Sequence, residues 1–104
     1  MEKLRIDKWL WAARFYKTRS LAVEELNRGR VQVNGQEAKP SREVRPGDNV
    51  VLQQGPVRRT VVVRGISGQR GPAPVAQQLY EETAASIDER VRAAEQRRLA
   101  PEPA

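Results

Sequence analysis

The chain has 104 residues, enough for one domain with a modest core. It has no cysteine and no histidine, which excludes disulfides, thiolate chemistry and the side chain most used for proton transfer near neutral pH. Net charge is +6, from 19 basic and 13 acidic residues, and the excess lies in the first two-thirds of the chain, while residues 75–104 are net negative. A polyanion is the natural partner of such a surface.

Residues 5–15 have helical spacing, with Ile6, Trp9, Leu10 and Ala13 on one face. Leu4, Trp11 and Phe15 form a second apolar stripe. An uncovered stripe is costly. Trp11 and Phe15 either stack on a splayed nucleic-acid base or lie under the C-terminal segment with Tyr80 packed there, and the cost of exposure favours the cover. Thr18 is placed to cap a second helix that runs to about Arg28 and ends at Gly29. Ala22, Val23 and Leu26 make its inward face, and Glu24 and Glu25 point away.

Strands follow. Val31 and Val33 alternate with polar residues, and Asn34-Gly35 is a two-residue hairpin signal. The return strand covers Gln36 to Ala38, and Pro46-Gly47-Asp48 marks another turn. Val50-Val51-Leu52 and the β-branched run from Arg58 to Arg64 read as a second hairpin about Gln54-Gly55-Pro56. Two glycines and two prolines make residues 67–74 a linker. Residues 75–98 read as a helix with Ile87, Val91 and Ala94 in register, and Pro101 and Pro103 mark a loose end. The expected organisation is thus a domain over 1–66, a linker over 67–74, and a C-terminal helix and tail over 75–104. No apolar run approaches the length of a membrane span. A cytoplasmic monomer is expected.

The order of these elements matters. A helix opening Arg5-Ile6-Asp7-Lys8 comes first, and a second helix is entered through Lys17-Thr18-Arg19-Ser20. Then come Gly29-Arg30-Val31-Gln32-Val33-Asn34-Gly35, Lys39-Pro40-Ser41 and Gly47-Asp48. This ordered set, over about residues 4–53, resembles the S4-type RNA-binding domain. Trp9-Leu10-Trp11-Ala12-Ala13-Arg14-Phe15 and Ala76-Gln77-Gln78-Leu79-Tyr80-Glu81-Glu82-Thr83 extend the likeness. They resemble the ribosome-associated heat shock protein 15 family. The resemblance implies an α+β fold: two helices packed on a small, mostly antiparallel sheet, the αL motif, with a C-terminal helical extension. It also implies binding to structured RNA and association with free large ribosomal subunits that still hold a nascent chain on transfer RNA. The family often ends in a strongly basic tail, and the net negative charge of residues 75–104 departs from that.

Elementary electrostatics points the same way. Thr18, Arg19 and Ser20 open a helix, where free N–H groups and the positive end of the dipole favour a phosphate. Ser20 adds a hydroxyl, and Lys17 and Arg19, both expected to be exposed, add charge. Arg5 and Lys8 stand one turn apart and can flank the same phosphate track. Arg14, Arg28, Arg30 and Lys39 extend the basic surface, and Asn34, required by its turn, is a further RNA-contact candidate. Asp7 is expected to orient its basic neighbours or the chain near helix 1, and Asp48 to shape a turn. No phosphate-cradling glycine loop, metal-ligand cluster or nucleophile–base pair is present, so neither enzyme activity, metal nor cofactor is expected. The same charges permit non-specific DNA binding through a helix-turn-helix reading, which the acidic face of helix 2 opposes. A protein–protein adaptor with incidental charge is the third reading.

Overall fold

The computed structural model describes residues 2–99; the loose end expected at Pro101 and Pro103 lies outside them. The elements in chain order begin with β1 (Leu4–Arg5), α1 (Ile6–Ala12), α2 (Arg19–Asn27), β2 (Val31–Val33) and β3 (Gln36–Glu37). They continue with β4 (Glu43–Val44), β5 (Asn49–Gln54), β6 (Val57–Val63), α3 (Ala73–Ala76), a 3-10 turn (Gln77–Leu79), β7 (Tyr80–Glu82) and α4 (Ala84–Leu99). Five strands form an antiparallel sheet in the order β3-β2-β5-β6-β7, and β1 pairs with β4 separately. The architecture is α+β, with the two N-terminal helices against the sheet and a helical extension at the C-terminus.

The hairpins follow their turn chemistry. Asn34 and Gly35 both take positive φ, at 51° and 85°, as the two-residue turn demands. Val50 lies opposite Val33 and Val61, so β-branched side chains line the sheet's inner face, and Val31, Val33, Val50, Leu52, Val61 and Val63 are all buried. Ile6, Trp9 and Leu10 of α1 are completely buried within the same core. The Trp9 Nε1 donates to the Gly65 carbonyl at 3.0 Å, which satisfies the one polar atom this residue brings inside.

Both N-terminal helices stop in the same way. After α2, Gly29 takes a φ of 73°, and Gly29 N and Arg30 N donate to the carbonyls of Leu26 and Glu25. A Cβ on Gly29 would lie 2.9 Å from the Glu37 carboxylate, so the position needs glycine twice over. After α1 the left-handed residue is Arg14, at φ 66°, with Arg14 N on Trp11 O and Phe15 N on Leu10 O. The helix expected over 5–15 is therefore shorter, because its last turn is used for this cap. The αL conformation costs a non-glycine residue about 1 kcal/mol.

The C-terminal third differs most from expectation. Residues 80–82 form the fifth strand, with Val63 opposite Tyr80 and Val61 opposite Glu82, so the helix expected from 75 starts at Ala84. Nor does α4 pack by its apolar stripe: Ile87 and Val91 are 43% and 56% exposed, while Ser86 is buried. Ser86 Oγ accepts from Thr60 N at 2.9 Å and donates to Glu82 at 2.7 Å, and Arg90 makes two 2.8 Å bonds to Glu82. A polar latch, rather than burial of valine and isoleucine, fixes the helix to the sheet. The segment between the sheet and α3 is tied to the end of α1 by Arg70 Nε on Trp11 O at 3.1 Å and Arg14 Nε on Gly71 O at 2.8 Å.

Candidate nucleic-acid interface

The start of a helix leaves backbone N–H groups without intrahelical partners. At α1, Ile6 N and Asp7 N donate to the carbonyls of Arg42 and Pro40, and Lys8 N donates to the Asp7 carboxylate at 2.8 Å. The turn from Lys39 to Arg42, closed by Arg42 N on Lys39 O, is thereby held against the helix.

Asp7 is 2% exposed and organises the charges around it. Arg5 reaches its two oxygens at 3.3 and 3.2 Å, and Arg19, from α2, reaches them at 3.4 and 3.3 Å. A buried carboxylate needs such partners to offset its lost hydration. Two guanidiniums over one carboxylate leave the group net positive. Both arginine side chains stay about half exposed, at 51% and 44%, so each is fixed from beneath and open to solvent above. Planar guanidinium forks match carboxylate and phosphate oxygens alike. The orienting role expected of Asp7 is what the geometry shows.

Lys17, Thr18, Arg19 and Ser20 are exposed at the mouth of α2. Thr18 Oγ1 accepts from Leu21 N at 3.1 Å, and Thr18 O accepts from Ala22 N. Arg19 N and Ser20 N have no protein partner among the described residues. Lys8 is half-buried, and Lys39 is exposed on the turn that abuts α1. One region thus gathers Arg5 and Arg19 about Asp7, with Lys8, Lys17 and Ser20 adjacent in the chain.

Other candidates lie apart from it or are engaged. Arg14 sits at the opposite end of α1, bonded to the Gly71 carbonyl. Arg28 and Arg30 share Glu25, at 3.7 and 3.0 Å; Glu25 is only 17% exposed and does not point away as its position in the sequence suggests. Burial, with the Glu25 charge adding to it and Arg30 opposing, pushes the Tyr16 hydroxyl up to about 12. Asn34 uses both ends of its carboxamide: Nδ2 donates to Asp48 at 3.2 Å and Oδ1 accepts from Asn49 N at 2.9 Å. Asp48 also accepts from Arg45 N, so the two turns are locked together. Sequence reasoning missed Arg42, whose carbonyl pins α1 and whose side chain is exposed in the same turn as Lys39. The signal was the basic residue directly after Lys39-Pro40-Ser41.

The family model for the S4 domain matches residues 4–50. Heat shock protein 15 of Escherichia coli K12 is 52% identical over 97 residues, 93% of this chain and 73% of that protein. The RQC P-site tRNA stabilizing factor of Bacillus subtilis is 42% identical over 60 residues, 58% of this chain and 70% of that protein. A solved structure, described as trimeric heat shock protein 15 of Vibrio cholerae, has a TM-score of 0.92 at 55% identity, covering 95% of this chain and 100% of that one.

Proposed function

The chain belongs to the heat shock protein 15 family, and on that premise we propose that it is a non-enzymatic protein that binds structured RNA of the large ribosomal subunit. The observation that carries this reading is the buried Asp7, which holds Arg5, at the end of β1, and Arg19, at the start of α2, in one exposed cationic group. Arg5, Lys8, Lys17, Thr18, Arg19 and Ser20 form the proposed contact surface, extended by Lys39. Arg14, Arg28, Arg30 and Asn34 contribute at its margins. A rigid basic face of this kind suits folded RNA, which is read largely through its shape and backbone.

Free subunits blocked by a nascent chain on transfer RNA are the proposed target, in a stress-linked recycling of translation in the cytoplasm. The name of the Bacillus subtilis relative, which refers to P-site transfer RNA, supports that choice. The proposed working unit is a monomer. Sedimentation of the purified chain tests this, since the Vibrio cholerae relative is described as trimeric.

Gradient separation of ribosomal subunits tests the function. Co-migration with free large subunits is expected, enriched when nascent chains are trapped on them. Co-migration with small subunits alone, or with none, rejects the reading.

A further inference from the structure

The net negative charge of residues 75–104 conceals an uneven placement. Glu82 is drawn beneath α4 by Arg90 and Ser86, and Asp88 pairs with Arg92. Between α4 and the β5–β6 hairpin runs an open groove of about 740 Å³. Arg58, Arg59, Arg90, Arg92 and Arg97 line it, against the single carboxylate of Glu89. Arg59 Nε is buried with no hydrogen-bond partner among the described residues, an unmade bond of a kind folded proteins seldom leave.

We propose that this groove is a second nucleic-acid site, which holds the sugar–phosphate backbone of a single-stranded RNA segment without reading its sequence. Guanidinium forks match phosphate oxygens. Arg58 on the hairpin and Arg97 on α4 carry no ion pair among the described residues and supply the groove's available cations, whereas Arg90, two helical turns before Arg97, is held by Glu82. Between them the wall is alanine, at Ala93 and Ala94, which lets a backbone approach closely. No aromatic side chain lines the groove, so bases have nothing to stack on. None of the elements that border it supplies Arg5, Lys17 or Arg19, so the site stands apart from the surface around Asp7.

The test follows the arginine Nε–H resonances of the full chain by NMR during titration with a ten-nucleotide oligouridine. A ten-residue oligoglutamate at the same ionic strength is the comparison. The Arg59 and Arg97 signals should shift saturably with oligouridine and persist in doing so in Lys17→Glu. Arg58→Glu with Arg97→Glu should weaken the Arg59 response about tenfold or more, as expected for two lost phosphate contacts. Neither residue belongs to the Glu82 latch; should the double reversal not fold, Arg58→Gln with Arg97→Gln serves. An Arg59 signal that stays fixed at millimolar oligouridine overturns the proposal. So does a response to oligoglutamate at least as tight, which would make the groove a site for acidic peptides. Loss of the response in Lys17→Glu would assign it to the other surface and reject the groove equally.

Discussion

Phe15 and Tyr80 meet with ring centroids 4.5 Å apart and planes inclined at 47°, joining the end of α1 to the last strand of the sheet. Trp9 lies 5.9 Å from the same Phe15 ring, so three aromatics bridge the N-terminal helices and the C-terminal segment. Phe15 is buried, with Tyr80 packed on it as the sequence suggests, while Trp11 of the same stripe stays half-buried.

Tyr80→Ala should therefore cost about 2–3 kcal/mol, less than the full range for a buried aromatic because Tyr80 is half-buried. Urea denaturation followed by tryptophan emission reads both effects: a lower midpoint, and a red shift in the native baseline. A native spectrum and an unchanged midpoint would show that the aromatic bridge does not hold the two segments together.

The latch under α4 makes stability depend on pH. The hydrogen bond from Arg90 holds the Glu82 carboxyl below the ordinary value of 4.5, with Ser86 adding to it and burial opposing it. A carboxyl whose folded value is depressed contributes stability that is present above its unfolded value and lost as pH falls through the folded one. Melting temperature should be insensitive to this group near pH 7 and fall below about pH 4.5 as Glu82 protonates. Glu82→Gln should flatten that part of the acid limb while lowering the melting temperature at pH 7. Parallel acid limbs in the two proteins would remove Glu82 from the account.

The hairpins and α2 were legible because their signals are local: Asn34-Gly35 requires positive φ, Thr18 caps, and Gly29 stops a helix. The strand at Tyr80–Glu82 was not, because Tyr80-Glu81-Glu82 has no alternation of its own and becomes a strand only by pairing with Val61–Val63. The early end of α1 was hidden for a related reason: nothing in an arginine announces the φ of 66° that Arg14 adopts. At the site, residue type identified the cations but not which of them are free. That depends on carboxylates brought in by the fold, as Asp7 meets Arg19 across two helices and Glu25 collects Arg28 and Arg30.

Asp7→Asn tests the organising role directly. The amide keeps an acceptor for Lys8 N but leaves Arg5 and Arg19 without their shared anion. Stability should fall by about 1–2 kcal/mol, at the low end for a buried ion pair because both arginines are half exposed. Binding should change in quality: attraction to unstructured RNA persists, since net positive charge rises, while preference for a folded ribosomal RNA fragment declines. The ratio of the two affinities is the measurement. A preserved ratio would mean that Asp7 supports the fold alone.

Lys17 and Arg19 separate charge from architecture. Lys17 is exposed and makes no ion pair among the described residues, whereas Arg19 is bonded to a buried carboxylate. Lys17→Glu should leave the unfolding midpoint in place and weaken RNA binding about tenfold. It should also make the slope of log affinity against log salt shallower by about one, as one phosphate contact is lost. Arg19→Glu would set a second carboxylate beside Asp7, and like charges at that distance resist joint ionisation. It should lower stability by about 2–4 kcal/mol as well as binding, the loss expected when a buried charge is stripped of a partner. The two reversals are thus not equivalent, although both remove one cation from one helix mouth. If Lys17→Glu leaves the salt slope unchanged, the mouth of α2 does not face the RNA backbone. The interface must then be sought on the Arg28–Arg30 side of the helix pair.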